Sequence, residues 1–204
     1  MTDPRLAVMT FSILRAPYGD ALVQRFDDAT PGIYLEAEGA PGFIDRAVPV
    51  DDVPWMTNFQ KDWGEWGPFA VPRFYLGGVT PGHTSQAQTL SLWTDLGSLA
   101  RFVFRGALHR DALKRRGEWF GPQGWPIYCL WWAHRHPTWR EACLRLEHLH
   151  DHGSTAACFT FTEPFDAQGR PARTLQPPAE PAEPAEPASD AKRAGNGSVD
   201  GVAA

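Results

Sequence analysis

The chain has 204 residues, a net charge of −5, 43% hydrophobic residues and nine tryptophans, enough for one domain with a substantial core but not for two. An acidic balance disfavours a nucleic-acid backbone or an anionic membrane as partner. Cys129, Cys143 and Cys158 are an odd set without C-x-x-C spacing, which reads as reduced, buried thiols of a cytoplasmic protein rather than a disulfide framework. No stretch approaches the roughly 18–20 apolar residues of a membrane span, and no signal-peptide core is visible.

In chain order, residues 6–14 alternate as a first strand, with Ala7, Met9, Phe11 and Ile13 on one apolar face. Asp20 is placed to cap a helix from Ala21, which is expected to be interrupted or restarted near Pro31-Gly32 and to stop at Gly39. Residues 43–50 form a second strand. Residues 51–82 mix Trp55, Phe59, Trp63, Trp66, Phe69, Phe74 and Tyr75 with Gly and Pro, and no period of two or 3.6 survives there. So aromatic a connection has much to bury, either as a wall of a pocket or as an arm packed on its own body or a partner.

Residues 88–93 make a third strand. From Asp95 a helical pattern runs towards Phe120 with a break or kink expected at Gly106. If its second half is one unbroken helix, Arg105, His109, Leu113, Arg116 and Phe120 share a face. Residues 125–134 are the strongest strand, with Trp131 and Trp132 on opposite faces. Thr138 to Glu141 resembles a capping box for a helix that closes at Gly153. Residues 157–162 read as a last strand. From residue 169 Gly and Pro accumulate, and residues 179–187 repeat A-E-P three times, so residues 1–168 are expected as a single domain and 169–204 as a disordered tail.

The order β-α-β-(long loop)-β-α-β-α-β contains the split β-α-β-β-α-β unit. The expected fold class is α+β: a ferredoxin-like four-stranded antiparallel sheet with helices on one face, plus an extra C-terminal helix and strand. The other face needs a cover, supplied by a two-fold dimer or by the extra segments.

The residues Leu90 to Trp93 with Asp95, Phe104-Arg105-Gly106, Leu108-His109 and Glu118-Trp119-Phe120 resemble a bacterial domain-of-unknown-function family, number 3291. So do Trp131-Trp132, Pro137-Thr138, Glu141-Ala142, the run L-E-H-L-H-D-H-G from Leu146 to Gly153, and Phe159-Thr160-Phe161. The resemblance covers about residues 6–166. It implies the dimeric α+β barrel superfamily, which includes small monooxygenases and haem proteins. That in turn implies a homodimer through sheet faces and a pocket between sheet and helices. It carries over no catalytic residue.

His109 is the leading functional residue: a neutral imidazole there suits a general base on a phenolic or carbonyl substrate, or an axial ligand to haem iron. The structural alternative is a half-buried histidine bonded to backbone. Arg105 suits a carboxylate, a propionate or a developing oxyanion; its alternative is a surface ion pair with Glu118 or Asp111. Trp93, Tyr128, Trp119 and Trp132 are expected to line a cavity for a planar aromatic or apolar molecule, or else to pack the core and a dimer interface. His148 and His152 are four apart and can pair, whereas His150 points away, which favours capping of the helix end over a metal site. Cys143 lacks an activating neighbour, and no phosphate loop, nucleophile elbow or zinc motif is present. The leading expectation is a small-molecule-binding protein acting as a cofactor-independent monooxygenase-like or isomerase-like enzyme. In it His109 takes a proton, Arg105 stabilises negative charge, and Trp93 with Tyr128 positions the ring. No cofactor and no metal is expected; the alternatives are a haem-binding protein of the same fold and a non-catalytic binding or interaction module.

Overall fold

The structure, a computed structural model, describes residues 3–51, 53, 56–75 and 85–173. Four strands form one antiparallel sheet in the order β2-β3-β1-β4: β1 Arg5–Ile13, β2 Phe43–Arg46, β3 Gln86–Trp93 and β4 Tyr128–Ala133. The helices are α1 Ala21–Glu38, α2 Leu96–Arg105, α3 Ala107–Trp119 and α4 Trp139–His152. Strand alternation divides the side chains between two cores. Leu6 and Val8 face one way with Trp93, Leu130 and, from the helices, Ala37 and Leu99. Ala7, Met9, Phe11 and Ile13 face the other way with Leu90, Leu92, Cys129 and Trp131.

That second face is covered by the chain itself. Trp139, Ala142, Cys143, Leu146 and Leu149 of α4 pack on it, together with Trp63, Trp66 and Phe69 of the irregular arm. Trp63 stacks on Phe69 at 5.6 Å, and both meet Trp139 edge-on at 5.1 and 5.0 Å. Of the two expected covers, the extra segments are the one found. A dimer built on this face would first have to displace α4 and the arm. Trp55 lies outside the described residues.

Three expectations are corrected. Helix α1 runs unbroken from Ala21 to Glu38 with Pro31 inside it. Proline removes one i→i−4 bond, but Pro31 sits on the exposed side, and Asp20 (Oδ1 accepting Leu22 N at 2.8 Å) and Gly39 (N donating to Leu35 O at 3.1 Å) hold the ends. Strand β2 stops at Arg46 rather than residue 50: Ala47 N still donates to Leu90 O at 2.8 Å, but by Val50 the backbone has turned to Asp62 O of the arm, at 2.7 Å. Residues 157–162 are not a strand. Thr155 and Cys158 bond each other in a tight turn, only Phe159 exchanges both backbone bonds with Leu130 (2.9 Å each), and the chain then leaves for a bridge between Phe165 and Pro171. Past residue 168, Asp166 accepts Arg170 N at 2.9 Å and Ala172 N donates to Pro164 O at 2.8 Å. The remainder of the expected tail, residues 174–204, lies outside the described residues.

Candidate functional site

Gly106 is where the site begins. The expected long helix is two helices, broken at Gly106 with φ −58° and ψ 128°. A Cβ there would stand 2.6 Å from Phe102 O and 2.9 Å from Glu36 Oε2, closer than side-chain carbon tolerates, so only glycine lets the three helices meet. A glycine offers α3 no side-chain cap. Glu36 of α1 supplies it from across the junction: Oε1 accepts Leu108 N at 3.2 Å and Oε2 accepts His109 N at 2.9 Å. A carboxylate at a helix N-terminus satisfies orphan N–H groups and suits the dipole.

His109, in the first turn of α3, leans back on α2. Its Nδ1 lies 3.0 Å from Val103 O, one of the last carbonyls of α2. A carbonyl only accepts, so Nδ1 carries the proton. Burial pushes the imidazole pKa below its ordinary value, against upward contributions from the Val103 hydrogen bond and the Glu36 charge. The ring is therefore neutral at pH 7, and Nε2 keeps its lone pair with no hydrogen bond among the described residues. Phe102 lies 4.7 Å from the imidazole and stacks on Trp93 at 5.2 Å.

Arg105 ends α2, exposed and on a different helix from His109, so the break removes their four-residue pairing on one face. The alternative ion pairs are not formed either. Asp111 lies 4.0 Å from Arg110, and Glu118 is held by Arg115 at 3.2 Å. Trp93 and Trp132 both pair with Leu6, from its two sides, and share one core. Tyr128 pairs with Thr10, four residues or about 13 Å further along β1, so Trp93 and Tyr128 do not face one ring. The Trp132 indole donates to Phe165 O at 2.8 Å, the Tyr128 hydroxyl accepts Phe161 N at 3.3 Å, and the Trp93 indole donates to Ser91 Oγ at 3.0 Å. Trp119 is elsewhere, buried at the end of α3 against Phe26 at 5.8 Å. Of the six expected site residues, His109 and Trp93 are linked through Phe102, Trp132 and Tyr128 pack against the same core as Trp93, and Arg105 and Trp119 are apart.

The other candidates resolve structurally. All three thiols are free and buried; burial pushes Cys143 up to about 12 and Cys129 well above its ordinary range, which makes neither a nucleophile. His148 and His152 do pair, rings 4.6 Å apart, while His150 goes to Phe74 and to Asp151. His148 Nε2 is 3.0 Å from Thr155 Oγ1, and no metal-holding cluster exists among the described residues.

Two recesses lie away from His109. One, of about 120 Å³, has Leu92 and Ala133 at its floor and Arg5, His134, Arg135 and His136 around it. The second, about 450 Å³ and open, runs beside α4 and shares Arg135. Glu36 and Arg5 were not singled out from sequence, and Gly106 was expected only as a break in the helix. A helix starting on glycine signals that some distant group must cap it, but only the packing of α1 on α3 identifies Glu36; likewise only the β1–β4 pairing brings Arg5 to Arg135.

Residues 5–175 match the model of a family described as "Domain of unknown function (DUF3291)". No curated protein and no solved structure matches the chain.

Proposed function

The chain belongs to the DUF3291 family, and from that premise, which fixes no activity, we propose that it binds a small aromatic or apolar molecule at the α1–α2–α3 junction, with His109 as its base. The observation that carries this reading is the state of His109: neutral, its tautomer set by Val103 O, and its Nε2 lone pair uncommitted. A base needs that lone pair in a fixed direction. A phenol or an enolisable carbonyl approaching along the Phe102 ring would give up its proton to Nε2, as in a cofactor-independent monooxygenase-like or isomerase-like reaction. Arg105, exposed at the end of α2, would meet the resulting anion from solvent.

Haem suits these residues less well. The imidazole is already faced by Phe102, which is stacked on Trp93, so a macrocycle beside Nε2 would have to unpack that pair. A dimer, where it forms, uses a surface other than the covered sheet face.

The test is a binding and turnover screen of aromatic ketones, phenols and anthrone-like compounds, with hemin included, on the protein and on His109→Gln. The reading expects turnover lost in His109→Gln with substrate affinity kept. Turnover unchanged in that variant removes His109 from the chemistry. A Soret band that needs His109 moves the reading to haem, and no binding by any compound moves it to a structural histidine.

A further inference from the structure

A helix laid along a sheet usually closes the face beneath it. Under α1 that closure is incomplete. Ser91 pairs with Val8 and Thr89 with Thr10, and Val8 shares a core with Ala37 of α1, so strand alternation turns all three hydroxyls towards that helix. They are only part-buried, although β1 and β3 are the inner strands, and of α1 itself only Val23 and Ala37 are fully buried. The open strip is polar, and hydrogen-bond donors collect at one end of it.

That end is Arg46 of β2. It lies directly opposite Ser91 of β3, so the two side chains leave one face with Cβ atoms about 5 Å apart. The guanidinium is fixed from two directions. Its Nε donates to Glu38 Oε1 at 2.7 Å, and its central carbon stands 4.1 Å over the Tyr34 ring. The terminal nitrogens have no hydrogen bond among the described residues, and they make the flat fork that matches a carboxylate. Ser91 Oγ accepts the Trp93 indole at 3.0 Å, which leaves its own proton to donate. Burial pushes the Tyr34 phenol above its ordinary pKa, against the pull of the Arg46 charge, so at pH 7 it is a donor too.

The acids nearby do not fill the fork. Glu38 holds Nε and offsets part of the charge, which suits weak, reversible binding. Asp45 pairs with Leu92 on the other face, its Oδ2 3.9 Å from His136. Asp27 is seven residues before Tyr34, about 10 Å along α1. From Ser91 the strip continues about 7 Å along β3 to Thr89, whose hydroxyl lies 2.7 Å from that of Thr10. Whichever of the two donates, the other keeps a proton for a further acceptor.

We propose that Arg46, Ser91 and Tyr34 form a carboxylate-binding site beneath α1, and that its ligand is a small oxo- or hydroxycarboxylic acid whose chain runs along β3 to the Thr10–Thr89 hydroxyl pair. The site is separate from the reading of His109 as a base and stands without it.

The experiment titrates the full 15N-labelled chain with 4-oxopentanoate and follows Arg46 Nε and the amides of Thr10, Thr89 and Ser91. The proposal expects saturable shifts at these positions, weaker binding of pentanoate, and none of methyl 4-oxopentanoate. Ser91→Ala and Tyr34→Phe each remove one hydrogen bond to a charged group and should raise Kd about tenfold. Arg46→Lys keeps the charge, loses the fork and should weaken binding at least as much. Tyr34→Phe keeps the ring under Arg46, so weakened binding in that variant at an unchanged melting temperature marks a lost contact rather than a lost fold. No saturable shift on the strip, an ester that binds as well as the acid, or a Kd indifferent to both Ser91→Ala and Tyr34→Phe overturns the proposal. Pentanoate binding as tightly as 4-oxopentanoate overturns the path to Thr10 and Thr89.

Discussion

At the scale of single residues, the α2–α3 junction concentrates the consequences. His109 has a pKa below its ordinary value because it is buried. The unfolded chain therefore binds more protons than the folded one, and its contribution to stability is complete above about pH 6.5 and is lost as pH falls through the lowered folded pKa. Urea titrations between pH 5 and 8 should show that slope, and His109→Gln should flatten it; an unchanged slope would assign it to another group. Gly106→Ala would drive a methyl into Phe102 O and Glu36, an overpacking expected to cost about 1–3 kcal/mol. Denaturant midpoints for Gly106→Ala and for the double variant with Glu36→Ala test the cause. Removing Glu36 relieves one of the two clashes, so the penalties should not add. Of the two roles the sequence offers His109, the contact of Nδ1 with Val103 O at 3.0 Å realises the one held by backbone.

At the scale of elements, helix ends follow local chemistry and their continuations follow packing. Asp95 caps α2 through Ser98 N at 2.8 Å and Ser98 Oγ at 2.8 Å. Burial raises its pKa, but the hydrogen bonds from Thr94, Ser98 and Gly97 outweigh that and leave it lowered. A depressed carboxylate contributes stability above the unfolded value of about 3.9 and loses it as pH falls through the folded value. Asp95→Ala should cost about 1 kcal/mol at pH 7 and progressively less below pH 4; a cost independent of pH would mean that the loss is steric. The Asp20, Asp95 and Thr138 caps and the Gly39 and Gly153 stops were legible because each needs only neighbours in the chain. Pro31 misled because its penalty is local and fixed, whereas the burial of Val23 and Ala37 that keeps α1 whole is set by the sheet and α3. The last segment misled in the opposite sense: its alternation is real, with Cys158 in one core and Phe159 and Phe161 in the other, yet alternation fixes which way side chains point and not whether a strand partner is present.

For the whole molecule, the feature that matters is a sheet buried on both faces by one chain. Trp139, 1% exposed, joins α4 to Trp63 and Phe69 of the arm. Trp139→Ala should therefore cost about 3–5 kcal/mol and uncover apolar sheet. Light scattering should report self-association in that variant beyond whatever the parent shows, and an unaltered mass with unaltered stability would show that the arm is held by other contacts. The sequence by itself determined the α+β class, the order of the four sheet strands, the two faces of β1 and β4, and the helix caps, because each depends on spacing and chemistry within a few residues. Only the tertiary structure decided that the aromatic arm and α4 cover the second face, that Trp93 and Tyr128 lie about 13 Å apart along β1, and that Glu36 closes the junction around His109. Those depend on strand register and on contacts such as Leu108–Glu36, 72 residues apart, and a one-dimensional pattern does not encode which distant surfaces meet.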